Sequence, residues 1–136
     1  MQKKILSLFI NHTKQENLEL DESGIVGDKH YNKDIDRSIL ITSTKSYEIV
    51  KNISITLKYG DLGENIVVNF DPYILPNGKR LKIGDVVIEI TNKSTLCKSL
   101  TKIDNKLPKL LKNDRGIYAK VISGGKIKKG DLIELI

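Results

Sequence analysis

Gly-Asp occurs four times in this chain, at Gly27-Asp28, Gly60-Asp61, Gly84-Asp85 and Gly130-Asp131, and no other feature constrains the fold as much. Glycine supplies the positive φ of a tight turn and aspartate caps the turn through its own backbone, so each pair ends one run and begins the next. Short apolar runs with strand character lie between such signals, at 5–10, 38–42, 66–70, 86–91, 117–121 and 132–136. LKIGDVVIEI (81–90) and IKKGDLIELI (127–136) read alike, as similar hairpins of one barrel would. Helix is scarce. One short segment at 44–52, capped by Ser43 or Thr44, and another at 108–112, opened by Pro108, are expected. Residues 52–57 alternate like a strand but lie between turn signals, which leaves them open. Short strands without βαβ spacing predict a mostly β chain: a small closed or partly open antiparallel or mixed β-barrel with a few short helices. The 136 residues suit a single domain spanning 1–136.

Hydrophobic residues at 39% and charged residues at 29% exclude a disordered chain. The opening MQKKILSLFINHTK has a basic end, but its apolar run is short, broken by Ser7 and followed by no small-residue cleavage site, so it reads as a first strand. Nothing approaches the ~20 apolar residues of a membrane span. One cysteine and no export signal give a reducing cytoplasm as the expected setting.

Net charge is +6, and it is unevenly spread. Basic and acidic groups balance before residue 98, whereas 98–129 holds Lys98, Lys102, Lys106, Lys109, Lys112, Arg115, Lys120, Lys126, Lys128 and Lys129 against Asp104 and Asp114. The commonest fate of such a run is a solvated face. Its functional use is attraction of an anion, a phosphate-bearing cofactor or nucleic acid. Nucleic acid is disfavoured, because only Tyr118 interleaves the run.

Cys97 is the only cysteine and matches no CxxC or CxH metal spacing. A free cysteine is more often a small buried hydrophobe. Cys97, however, follows the end of its strand and is flanked by Lys98, Lys102 and the hydroxyls of Ser94, Thr95 and Ser99, which favour thiolate. GIVGDKHYNKDIDRSILIT (24–42) places Asp28, Lys29, His30 and Arg37 on a loop that could cradle an oxyanion or phosphate. His30 alone suits a surface or capping role better than a metal ligand, and His12 lies in a separate N-terminal stretch. In YGDLGENIVV (59–68), Glu64 and Asn65 precede an apolar strand, either as a turn-and-cap or at a strand mouth open to a ligand.

Taken together, these stretches resemble the MOSC domain, named for the C-terminal domain of molybdenum cofactor sulfurase. GIVGDKH, Arg37 ahead of SILIT, GDLGENI, LKIGDVVIEIT, Cys97 and RGIYAKVISGGKIKKGD (115–131) occur in the family's order over roughly residues 20–136. Leu96 departs from the proline many members carry before the cysteine. The chain looks like a stand-alone version, without the partner domains of larger members. The resemblance implies a β-rich barrel and chemistry centred on the molybdenum cofactor (molybdopterin) and sulfur. In relatives that reduce amidoximes the matching cysteine ligates molybdenum, and in sulfurases the domain is thought to pass sulfur on, as a persulfide. It therefore implies Cys97 as catalytic residue and metal ligand, with Lys29, His30, Arg37, Glu64, Asn65, Lys98 and Arg115 around the pterin phosphate and oxo groups.

Three readings follow. The first is a molybdenum-cofactor-binding oxidoreductase that reduces N-hydroxylated compounds. The second is a sulfur carrier or transferase acting through a Cys97 persulfide, with a cysteine desulfurase as partner where the first needs a reductase. The third is a non-enzymatic module docking an acidic partner through its basic stretch.

Overall fold

The computed structural model describes residues 2–94 and 98–136, the side chains of Lys98 and Ser99 excepted. In chain order the elements are β1 (Ile5–Ile10), β2 (Thr13–Gln15), β3 (Asn17–Asp21), β4 (Gly24–Ile25), β5 (Ile39–Ser43), α1 (Thr44–Lys51), β6 (Ile66–Val68), β7 (Arg80–Ile83), β8 (Val86–Lys93), α2 (Lys98–Ile103), α3 (Leu107–Leu110), β9 (Ile117–Ser123), β10 (Gly125–Lys128) and β11 (Glu134–Leu135). The fold is mostly β. One sheet runs β11-β7-β8-β9-β5-β6-β1-β2, antiparallel except for the parallel β5–β6 pair. A second, smaller sheet runs β10-β3-β4.

The large sheet curls into a half-barrel. Lys4 bridges Leu132, Ile133 N donates to Lys3 O at 2.8 Å and Ile5 N donates to Asp131 O at 3.0 Å. The segment entering β11 therefore joins the start of β1, which belongs to the opposite end of the sheet. Period-two alternation fills the interior: Leu81 and Ile83 of β7, Val86, Ile88 and Ile90 of β8, and Ile117, Ala119 and Val121 of β9 form one core with Leu18, Leu20 and Ile127 of the small sheet. A second apolar cluster of Val50, Leu62, Leu100, Leu107 and Leu111 makes a helical cap from α1, α2 and α3.

All four Gly-Asp glycines have positive φ, between 60° and 98°. The Gly84-Asp85 pair closes the β7–β8 hairpin, with Ile83 facing Val86. The matching stretch 127–136 is not a hairpin. Lys129 N bonds to Glu16 O and Gly130 N to Ile5 O, which carries the chain from the small sheet to the large one. Only Glu134–Leu135 of the expected strand remains, because Leu132 and Ile133 are taken up by the start of β1. The helix at 44–51 forms with Ser43 as cap, its Oγ accepting from Lys45 N at 3.1 Å. Residues 52–57 carry turns and irregular chain.

Candidate functional site

The half-barrel and the helical cap meet at a pocket of about 640 Å³. Leu40 of β5, Tyr118 of β9, Ile103 of α2 and the Leu62-Gly63 turn give it walls, and His12, Lys29, His30, Asp61 and Arg115 give it charge and hydrogen-bonding groups.

Arg115 is 6% exposed, and its Nε and Nη1 find no hydrogen-bond partner among the described residues. The chain presses in here because the next residue is glycine. A Cβ on Gly116 would lie 2.9 Å from Leu40 Cδ1 and 3.3 Å from Ile41 O. A buried guanidinium with idle donors is costly unless an anion completes it. Ser94 N donates to Gly116 O at 2.9 Å, beside Arg115, and α2 begins at Lys98. Ser94 is thus bonded to the neighbour of lining Arg115, and α2 supplies lining Ile103. Cys97 itself lies outside the described residues, as does the Lys98 side chain.

Behind the lining, Asn65 locks three segments. Its Oδ1 accepts from Leu40 N at 3.0 Å, and its Nδ2 donates to Phe9 O at 3.2 Å and to Asp28 Oδ1 at 3.1 Å. The Asp28 side chain is 2% exposed and also accepts from His30 N at 3.0 Å and His30 Nδ1 at 3.2 Å. The Gly27-Asp28 turn thus has a second use, holding an imidazole at the pocket. Glu64 is 1% exposed. One carboxyl oxygen accepts from the hydroxyls of Thr42 and Tyr47, and the other has no partner among the described residues. Burial pushes its pKa up, and the Thr42 and Tyr47 hydrogen bonds and the nearby Arg115 charge only partly oppose this.

Of the residues singled out in the sequence, Lys29, His30 and Arg115 line the pocket, while Glu64 and Asn65 stand behind it as supports. Arg37 is at the edge, its guanidinium 5.7 Å from the ring of lining Tyr118 and 3.8 Å from Asp34. His12, set apart in the sequence, comes to the pocket from the other side. It forms the β1–β2 turn with Asn11, both at positive φ, and its Nδ1 donates to Gly60 O at 3.1 Å. Asn-His between two strand-like segments was the one available signal, a two-residue hairpin turn. Among the described residues, no three His, Cys, Asp or Glu side chains gather as a metal site requires. No helix among them is long and apolar enough to cross a membrane.

A family model for the MOSC domain matches residues 25–134. The chain belongs to the MOSC domain family. Membership makes it a molybdenum-cofactor-related domain. Among solved structures this MOSC domain resembles the YuaD protein from Bacillus subtilis, at 21% identity and TM-score 0.83, over 99% of this chain and 96% of that one. It resembles YiiM from Escherichia coli at 20% identity and TM-score 0.79, over 100% and 70%. YiiM from Geobacillus stearothermophilus follows at 15% identity and TM-score 0.80, over 98% and 75%. At these identities the likeness is one of fold. No curated protein matches the chain significantly.

Proposed function

We propose that this MOSC domain binds the molybdenum cofactor at the pocket beside Arg115, with Cys97 as thiolate ligand to the metal, and reduces N-hydroxylated compounds. The observation that carries the reading is Arg115, whose buried Nε and Nη1 have no partner among the described residues, in a pocket also lined by Lys29 and two imidazoles. That donor set fits a phosphate-bearing pterin and the oxo groups of its metal, since guanidinium donors match oxyanions in geometry and charge. Lys29, His30 and Arg115 would hold the anionic groups, with Arg37 and Lys98 adding positive charge and Asn65 and Glu64 fixing the wall. Cys97 enters from its family position, between Ser94, whose N donates to the O of Gly116 next to Arg115, and α2, which supplies lining Ile103. Thiolate is the soft ligand molybdenum chemistry favours. When bound, the cofactor would supply two-electron redox chemistry, with electrons delivered by a reductase.

The test is elemental analysis of protein produced in a host that makes the cofactor. Molybdenum in the wild type and its loss in Cys97→Ala and Arg115→Met are expected. No molybdenum in the wild type, or equal amounts in Cys97→Ala, would overturn the reading. A mass gain of about 32 Da on the wild type after a cysteine desulfurase, one sulfur atom, would then favour the sulfur-carrier reading.

A further inference from the structure

The basic stretch at 98–129 is one run in the sequence, but the fold divides it between two faces. Lys126, Lys128 and Lys129 lie on and just past β10, which pairs with β3 so that Lys126 stands opposite Glu19. Lys129 N bonds to Glu16 O, which brings a second carboxylate residue alongside. Opposite charges on the neighbouring strand offset these lysines. Lys120 reaches Glu89 at 3.5 Å.

Lys102, Lys106, Lys109 and Lys112 belong instead to the helical cap, and all four are exposed. None of them forms an ion pair among the described residues. Of the carboxylates in this part of the chain, Asp114 is taken by Lys45, Nζ to Oδ1 at 3.2 Å. Asp104 accepts from the backbone N of Lys106 at 2.8 Å and is the one carboxylate left among four lysines. On α1, Glu48 and Lys51 cancel. The unbalanced positive charge is therefore gathered on the outside of α2 and α3.

That face adjoins the pocket. Ile103, next to Lys102 on α2, lines it, and Lys29 and Arg115 continue the positive charge inward. The apolar side of the helices is already covered, since Leu100, Leu107 and Leu111 are buried against Val50 and Leu62. With no apolar face to insert, the cap is unsuited to a membrane surface. Residues 98–112 also contain no aromatic on which a base could stack. The choice of lysine indicates the kind of contact. Stable interfaces deplete lysine and favour aromatics and arginine, whereas flexible point charges steer fast and short-lived encounters. Small encounters of that kind are characteristic of redox partners.

We propose that the lysine face of α2 and α3 docks the acidic surface of a second protein, the reductase, in a short-lived encounter at the edge of the pocket. The inference names the partner of the function proposed above and rests on it. Lys102, Lys106, Lys109 and Lys112 are the docking residues, and the lysines at 126, 128 and 129 take no part.

Fluorescein-labelled polyglutamate is the probe, with binding read by anisotropy at low salt. Changing the four cap lysines together to Glu should weaken binding by about tenfold or more, and the same change at Lys126, Lys128 and Lys129 by less than about twofold. Gln at the four cap positions should weaken binding in the same direction, which keeps the test valid if charge reversal unfolds the cap. Arg115→Met should bind within about twofold of wild type, because the outer face and not the pocket holds the probe. Carbodiimide cross-linking, which joins a lysine to a carboxylate in contact with it, should attach the probe to the cap lysines. No polyglutamate binding, an equal loss from the two lysine sets, or tighter cap-dependent binding of duplex DNA or of phosphatidylglycerol vesicles would overturn the inference. Molybdenum content is read separately. Wild type that holds molybdenum and ignores polyglutamate refutes this inference alone, and cap-dependent binding by protein without molybdenum refutes only the cofactor reading.

Discussion

Tyr47 donates its phenolic hydrogen to Glu64, and Thr42 donates to the same carboxyl oxygen, leaving the other oxygen without a partner among the described residues. This buried carboxyl makes stability depend on pH. Burial holds its folded-state pKa above the ordinary 4.5. Between the ordinary value and the raised one, the folded state binds the extra proton, so wild-type stability falls as pH rises through that window. Glu64→Gln keeps an oxygen for both hydroxyls and cannot ionise. Its urea midpoint should therefore climb relative to wild type from about pH 4.5 upward. A gap between the two proteins that stays constant with pH would contradict this.

Asn65 supplies the second prediction. Its side chain satisfies Leu40 N on β5, Phe9 O on β1 and Asp28 Oδ1 in the pocket loop. Asn65→Ala strands these groups in a buried place, at about 1–3 kcal/mol for each donor or acceptor left unsatisfied. A total loss of about 3 kcal/mol or more is expected by urea denaturation, and the His30 ring should lose its fixed tautomer as Asp28 loosens. A loss below about 1 kcal/mol would show that solvent replaces the amide.

These two residues also show how far the sequence could be read. GDLGENI put Glu64 and Asn65 just ahead of an apolar strand, and β6 begins at Ile66 as its pattern suggests. What the pattern could not carry was direction. Glu64 and Asn65 turn inward to mend gaps between strands distant in sequence, and such pairings have no local signal. For His12 the sequence carried the turn alone, and the Gly60 carbonyl that holds the ring at the pocket had no local signal. The strands β2, β4 and β10 are too short to stand out and β3 alternates over only five residues, so their pairing is decided by neighbours such as Leu18 facing Ile127. Periodicity did reveal β1, β5, β8 and β9, where burial alternates or is continuous. The likeness of 81–90 to 127–136 misled because turn chemistry is local, whereas the sheet a strand joins is settled by what else needs a partner.

Gly60 gives a third prediction. Its φ is +98°, and a Cβ there would lie 2.8 Å from Phe9 Cε1 and 3.0 Å from Cδ1, in a ring that is 5% exposed. Gly60→Ala meets both a backbone region side chains avoid and an overpacked contact, for a loss of about 2 kcal/mol or more. The Gly60 carbonyl also holds His12, so the variant should shift the His12 nitrogen signals before it unfolds. An unshifted His12 in a destabilised protein would separate the turn from the pocket.

The last prediction concerns the conflict between stability and binding at Arg115. Nε and Nη1 are buried and have no partner among the described residues, so without an anion this side chain carries a desolvation cost that no bond to those residues offsets at these atoms. Replacing such a group by an apolar one of similar length is often neutral or stabilising by about 1–4 kcal/mol. Arg115→Met should therefore match or exceed the wild type in urea without added anion. Sulfate should then raise the wild-type midpoint and leave the variant unmoved, because only a ligand that binds the folded state shifts its stability. Residues kept for binding at the expense of the fold behave this way. If Arg115→Met instead loses more than about 2 kcal/mol in the absence of anion, the guanidinium is part of the scaffold, and the pocket's charge is not there for a ligand.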